Sequence, residues 1–322
     1  FRCSVAIVAL LSIAAAQSVP PITAIPAEVD FSRRLQPWDG FGFNYVEAAQ
    51  TRDYVRKPQD YGGWSLLAEE RRREILRLVF GSEGLKIGIL KMFLDPWHQA
   101  APDGPFDHQL STRNMLAFAE EGSKLKKAAG EELTILTTLY GPPAWATMQK
   151  SIGGRDLDPR ESANLIRYVL DWVRFLDERK LPVRYVSPHN EGEDFYRWSF
   201  DEGKQRLESF DYNAYWPPEQ VNRFIREMSA EIRRRGIRGL TVTNGEPSNW
   251  TRFYHWGYAA ALADDKAALK DLGLLTTHGF INGDMRRMSY GTAQSLVTDL
   301  LRQRRPELRA WVTSMSWGGM DT

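Results

Sequence analysis

The chain has 322 residues, 43% of them hydrophobic and 26% charged, so it can bury the core of one large domain or two ordinary ones. Its 42 basic and 41 acidic side chains give a formal charge of +1, which argues against nucleic acid as the main partner, because such proteins carry a basic face or stripe. With one cysteine, Cys3, there is no basis for a disulfide scaffold. The first segment, FRCSVAIVALLSIAAAQ, has a lone Arg, an apolar run from Val5 to Ala16 and a small-residue end. It reads as a secretory signal peptide over residues 1–16, too short to span a bilayer, and implies a secreted or periplasmic protein. Cys3 would leave with it. Residues 17–37 form a Pro-containing lead-in with one short strand, a candidate piece of a side β-domain.

From Trp38 the chain settles into a rhythm of short apolar runs and longer amphipathic segments. The strand-like runs are Gly40–Tyr45, Leu85–Leu94, Leu133–Leu139, Val183–Ser187, Gly239–Thr243, Leu272–Thr277 and Leu308–Thr313. Between them, WSLLAEERRREILRLVF has helical apolar spacing, and its Arg71, Arg72 and Arg73 read as a solvated face. DPRESANLIRYVLDWVRFLDERK offers Asp158 as N-cap, Pro159 at the first helical position and Glu161 to complete a capping box. PPEQVNRFIREMSAEIRRRG starts on Pro and stops on Gly236. Strands alternating with helices of this length make βαβ units and a parallel sheet. Seven in series point to an α/β fold of the TIM class, a (β/α)8 barrel over residues 38–322 that is incomplete before its eighth strand. An open doubly wound sheet is the alternative, but no Gly-rich phosphate turn follows the first strand. P-loop, HExxH and GxSxG motifs are absent as well.

In such barrels the chemistry sits at the C-terminal ends of the strands. Those ends supply Asn44 and Glu47, then Lys91, Asp95, Trp97 and His98, then Trp145. The fourth gives His189, Asn190 and Glu191 in VSPHNEGE, the fifth Glu246 and Trp250 in TNGEPSNW, the sixth His278 and the seventh Ser314. Carboxylates, amides and tryptophans gathered on one face suit a sugar: rings need stacking surfaces, hydroxyls need amides and carboxylates, and cleavage needs a pair of carboxyls. His98 and His108 have no metal-ligand spacing, and no cofactor is expected. Each feature also has a structural reading: Asn190 as a turn cap, Glu246 as a loop ion-pair partner, Lys91 as half of an ion pair at the mouth, and Trp145 and Trp250 as packing.

The order DGFGFNY, GPPAW, SPHNE, an HGF strand and AWVTS resembles clan A glycoside hydrolases, family 30 in particular, over most of the chain from Trp38. The Ser-Pro-x-Asn-Glu strand is its most specific element. The resemblance implies hydrolysis of O-glycosidic bonds in a β-linked polysaccharide or glycoside, with Glu191 as general acid/base and Asn190 on the sugar 2-hydroxyl. It breaks at the seventh strand. There the family's nucleophilic Glu follows a Trp-x-Thr, and this chain reads Trp311-Val312-Thr313-Ser314. The Tyr that relatives place two residues after the sixth-strand His is Phe280 here. A serine hydroxyl does not replace a carboxylate nucleophile without a paired base. Three readings follow: a relocated carboxylate, with Glu246 first and then Glu47 and Glu193; an inverting variant; or a barrel that binds sugar without cleaving it. A serine hydrolase built on Ser314 and His278 lacks a nucleophile elbow.

Overall fold

The computed structural model describes residues 30, 32, 37–45, 63–106, 110–193, 198–199, 208–209, 212–280 and 290–315. The chain divides into two units, Phe1–Asp39 and Gly40–Thr322, and every strand and helix described lies in the second. The leader-like run 1–16, nearly all of the lead-in and Glu47 fall outside the described residues.

Seven parallel strands form the sheet, in the order β1 (Gly42–Asn44), β2 (Ile89–Leu94), β3 (Thr134–Leu139), β4 (Val183–Ser187), β7 (Thr241–Thr243), β8 (Leu272–His278) and β9 (Ala310–Ser314). In register, Asn44 lies beside Lys91, Leu94 beside Leu139, Val186 beside Val242 and His278 beside Ser314. All seven fall within or beside the runs read from the sequence. A two-stranded antiparallel ribbon, β5 (Trp198–Ser199) with β6 (Glu208–Ser209), sits in the connection after β4; the apolar pattern gave no sign of it.

The sheet is rolled into a barrel. Flat, β1 and β9 would stand six strand spacings apart, ~29 Å. Instead the Asn44 Nδ2 donates to Ser314 Oγ at 3.1 Å. Tyr185 of β4 and Trp311 of β9, three spacings apart in the order, meet edge to face at 5.1 Å. Among the described residues β1 and β9 share no backbone ladder, so this seam is where an eighth strand would stand in a closed barrel.

The helices α1 (Glu69–Phe80), α2 (Leu110–Ala128), α3 (Ser162–Glu178), α4 (Pro218–Arg235), α5 (Trp250–His255), α6 (Tyr258–Asp264), α7 (Lys266–Asp271) and α8 (Tyr290–Arg302) connect the strands. α4 follows its sequence signals closely: Pro at the start, three arginines in the last turn and Gly236 at φ +68 beyond the end. At α3 the expectation needs adjusting. Asp158 does cap, accepting from the Arg160 N–H at 3.1 Å, but it caps a 3-10 turn at Pro159–Glu161, and the α-helix starts at Ser162. Glu161 closes no capping box, because its carboxylate accepts from Asn164 Nδ2 at 2.7 Å. Leu165, Ile166, Val169, Leu170, Trp172, Val173 and Leu176 form the buried stripe of α3. Each contributes ~1.5–3 kcal/mol on burial, and Trp172→Ala alone would cost ~3–5 kcal/mol.

Candidate active site

Past β4 and β7 the chain ties two loops together. The Glu246 N–H donates to His189 O at 3.0 Å and the Glu191 N–H donates to Glu246 O at 2.8 Å, so Asn190 and Glu246 form a parallel bridge beyond the strand ends. The β7 end is fixed on its other side by a side chain that imitates a peptide. Asn244 Oδ1 accepts from the Thr276 N–H at 2.7 Å, and its Nδ2 donates to Thr276 O at 2.9 Å. Gly245 follows at φ +83, and a Cβ there would lie 2.0 Å from His189 Nε2. The Asn-Gly pair thus serves both the turn and the close approach of the His189 ring, which stacks on Trp216. Burial first of all pushes the pKa of His189 down to about 3, so it is neutral. Its Nδ1 accepts from the Gly192 N–H at 3.3 Å, which puts the proton on Nε2.

This zipper sets two carboxylates on the two nitrogens of one imidazole. His278, at the end of β8, lies with Nδ1 2.9 Å from Glu191 Oε1 and Nε2 3.0 Å from Glu246 Oε2. Lys91 of β2 donates to Glu246 Oε2, and Thr138 of β3 donates to Glu246 Oε1 at 2.9 Å. All five side chains are buried. Two cations face two anions, so the cluster is neutral when all four are charged. Burial pushes His278 down and so does Lys91, 3.3 Å away, but its hydrogen bonds to Glu191 and Glu246 outweigh both and its pKa ends up raised. With both nitrogens facing carboxylate oxygens it is an imidazolium, a donor on each edge. For Glu246, burial pushes upward, yet Lys91 and His278 win and bring it to about 2.

Glu191 itself sits at φ +39, in the left-handed region that a non-glycine residue enters at a cost of ~1–2 kcal/mol. Glu193, two residues on, is fully buried; its Oε1 accepts from the Ser248 N–H at 2.6 Å. Burial, and then the charge of Glu191, raise its pKa. Asn190 donates from Nδ2 to Asn213 Oδ1 at 3.1 Å.

The remaining sequence candidates are spread more widely. Asn44 and Ser314 bond to each other at the β9–β1 seam. Trp145 is half-buried, donating from Nε1 to Gln99 O at 3.1 Å and meeting Tyr168 edge-on. Trp250 is fully buried in the hydrophobic core beside Phe253, so neither ring face is open to a ligand. Asn249 caps α5 by accepting from the Arg252 N–H, and this turn carries Trp250 inward. An Asn directly before an apolar residue was the available signal. Three participants escaped the sequence reading: Thr138, Asn213 and Tyr212. Tyr212 joins Trp97, Tyr140 and Phe93 in an aromatic wall on the β2–β3 side, with ring contacts of 4.5, 6.1 and 5.0 Å. Its chain can cross there because Gly141 of GPPAW has no Cβ, which would fall 1.9 Å from Tyr212 O. Among the described residues no group of His, Cys, Asp and Glu is arranged to hold a metal ion. None of the described helices is long and apolar enough to cross a membrane.

No family model matches the sequence, and no curated protein matches it. Solved structures do. The endo-β-1,6-glucanase BT3312 superposes with a TM-score of 0.66 at 14% identity, over 89% of this chain and 59% of that one. SrfJ from Salmonella typhimurium follows at 0.62 and 13%, over 90% and 60%. The catalytic domain of GH30 xylanase C from Talaromyces cellulolyticus gives 0.56 and 14%, over 76% and 53%. The likeness is one of fold. This chain has the barrel architecture found in glycoside hydrolases and spans 53–60% of the length of these three structures.

Proposed function

We propose that the protein is a glycoside hydrolase of clan A type, most like family 30, acting on a β-linked polysaccharide or glycoside with Glu191 as its general acid/base. The observation that carries the proposal is the Glu191–His278–Glu246 array, a buried proton-sharing set at the strand ends of a barrel whose structural neighbours include a glucanase and a xylanase. In this reading Glu191 takes the Nδ1 proton of His278 and gives it to the departing glycosidic oxygen, a water adds its oxygen to the anomeric carbon, and the proton that water sheds returns to the Glu191–His278 pair. His278 Nδ1, in direct contact with its carboxylate, holds a proton when Glu191 is ionised and can return it. Asn190, positioned by Asn213, takes the sugar 2-hydroxyl, and the aromatic wall at Trp97 and Tyr212 offers ring faces. Glu246 has no oxygen left over: Lys91, Thr138 and His278 occupy both. Its part is to keep His278 charged and oriented. The reading also takes the protein to act outside the cytoplasm, on the strength of the leader-like residues 1–16.

A second reading, sugar binding without cleavage, is favoured by two observations. Ser314 at the seventh sheet strand is bonded to Asn44, and the His278 ring fills the space between Glu191 and Glu246 that a carboxylate pair leaves for the anomeric carbon or an attacking water. One experiment separates the two. Hydrolysis of β-1,3- and β-1,6-glucans, xylan and aryl β-glycosides is assayed for the parent and for Glu191→Gln, together with binding of the same glycans. The proposal expects turnover in the parent that collapses in the variant while binding persists. Turnover that survives Glu191→Gln sinks the assignment, and binding with no turnover in either protein moves the second reading to first place.

A further inference from the structure

The Glu191–His278 hydrogen bond has a second rung two residues further along both chains. Glu193 Oε1 accepts from the Ser248 N–H at 2.6 Å, and Ser248 O accepts from the Phe280 N–H at 3.2 Å. Glu193 is two residues past Glu191 and Phe280 two past His278, so Ser248 ties the two carriers together. Ser248 is itself held by Arg252, whose Nη1 donates to its hydroxyl at 3.1 Å. The turn that needs holding is the one at Glu191, because a left-handed backbone persists only where its surroundings over-determine it. Backbone bonds do part of this: the Glu191 N–H is on Glu246 O, and Gly192 O takes the Trp216 N–H at 2.8 Å. Beyond Gly192, the Glu193 carboxyl adds a side chain to them.

Glu193 is not one of the reacting carboxylates, although the sequence allowed it: the residue is 0% exposed, so no water-sized group reaches it. Its charge state follows from what surrounds it. Oε1 has the Ser248 N–H, and Oε2 has no hydrogen-bond partner among the described residues. Glu191 is a second acid on the same loop. Tyr215, ahead of α4, and Tyr258 of α6 stand beside it, and burial pushes the Tyr258 hydroxyl far up, so it stays neutral. Arg252 of α5 brings a cation, but its Nη1 is 3.7 Å from Oε1, outside hydrogen-bond reach. A buried ion pair repays the loss of water only with good geometry and its remaining lone pairs satisfied, and here neither holds. Burial first, and then the charge of Glu191, accordingly raise the Glu193 pKa. A neutral acid leaves one polar group bare where a carboxylate would leave a charge. We propose that Glu193 is a positioning residue for the Glu191–His278 pair: as a neutral carboxylic acid it latches the chain beyond Glu191 to Ser248, and through Ser248 to the chain beyond His278, and so fixes the distance across which the proton is shared. The proposal rests on the glycosidase reading for what the pair does, and on the contacts alone for what holds it.

The test reads the pair directly and then through turnover. Nuclear magnetic resonance of the His278 ring gives the Nδ1–H signal shared with Glu191, and three variants are compared with the parent. Glu193→Ala, which removes the latch, should displace that signal and lower kcat by about 10–100-fold, the cost of a misplacement of up to 1 Å, with KM little changed. Glu193→Gln, neutral and able to accept from Ser248, should restore the signal and most of kcat, with the pH profile of the parent. Val169→Ala, in the buried stripe of α3, controls for lost stability and should leave the signal where it is. Infrared spectra at about pH 6, where an ordinary glutamate is ionised, should show a carboxylic acid band in the parent that is missing from Glu193→Gln. A signal and a kcat that ignore Glu193→Ala overturn the latch. A Gln variant no better than the Ala one, or a parent without the acid band, overturns the neutral acid. If the parent cleaves no glycoside while the His278 signal follows the variants as described, the glycosidase reading falls and the latch stands.

Discussion

The two sides of the barrel mouth are built to different standards. On the β4–β7–β8 side, backbone bridges, the Asn244 amide and the Lys91–Glu246–His278–Glu191 cluster join into a buried lattice. On the β9–β1 side, one side-chain hydrogen bond between Asn44 and Ser314 joins two half-exposed strands. The burial strings of β8 and β9 make the contrast plain: β8 is almost wholly buried, whereas every residue of β9 is at least partly exposed. A parallel sheet needs both faces covered, and β9 meets that requirement only in part. The difference teaches that ordered chemistry in this molecule is concentrated where the strand ladder continues past the strand ends, and is thin where the ladder stops.

Substitutions on each side should break this asymmetry by different amounts. The largest effect is expected for Glu191→Gln, which should lower turnover by ~10²–10⁴-fold, the ordinary worth of a positioned acid/base, measured with a substrate that has a poor leaving group. Next comes Glu246→Gln. It leaves Lys91 and His278, two cations 3.3 Å apart, without their shared anion, and should cost ~3–5 kcal/mol in denaturant unfolding. Adding Lys91→Met should recover part of that loss, since the pair acts as a unit. Gly245→Ala should cost about 2–4 kcal/mol, from a methyl driven into the His189 ring plus a left-handed backbone. The smallest effect is expected on the other side: Ser314→Ala should shift stability by ~0.5–1.5 kcal/mol, the net worth of one hydrogen bond.

pH sharpens the same comparison. Glu246 has a folded pKa of about 2 against an ordinary 4.5, so its contribution is present above 4.5 and is lost as pH falls through the folded value. His278 is raised from 6.5, so its contribution is full below 6.5 and is lost as pH climbs through the raised value. The cluster should therefore stabilise the fold most between about 4.5 and 6.5. Thermal melts of the parent and His278→Asn should differ most in that window and converge on the alkaline side. Curves that stay parallel across the range would show that His278 is not charged in the fold.

Periodicity was enough to recover the architecture, because a strand buried on both faces and a helix with one apolar stripe leave opposite signatures in the chain. The strand ends were legible too, since Gly, Pro and Asn mark where ladders stop, and Glu191, Asn190, Glu246 and His278 all lie at such ends. What remained hidden depends on which way a side chain turns. Trp250 reads as a sugar platform by position, but the Asn249 cap starts a helix that rotates it into the core. For Glu246 the sequence left a relocated catalytic carboxylate and an ion-pair partner both open, and only the fold shows that Lys91, 155 residues away, is what meets it. Thr138 and Asn213 look like any strand threonine and loop asparagine, because what distinguishes them is a partner remote in sequence.

Asn244 and Gly245 form the dipeptide that in an unfolded chain ages fastest, by attack of the glycine nitrogen on the side-chain amide and loss of ammonia. In the fold that reaction has little chance to start. Both atoms of the amide are tied to Thr276, and the Gly245 N–H points at Thr243 Oγ1, 3.3 Å away. The bond would break only when the β7–β8 junction opens, so the slow appearance of aspartate at this position would clock local unfolding beside the cluster. The lesion would also weaken the junction in which it forms: the new carboxylate could no longer donate to Thr276 O, so an aged molecule would open more readily than an intact one.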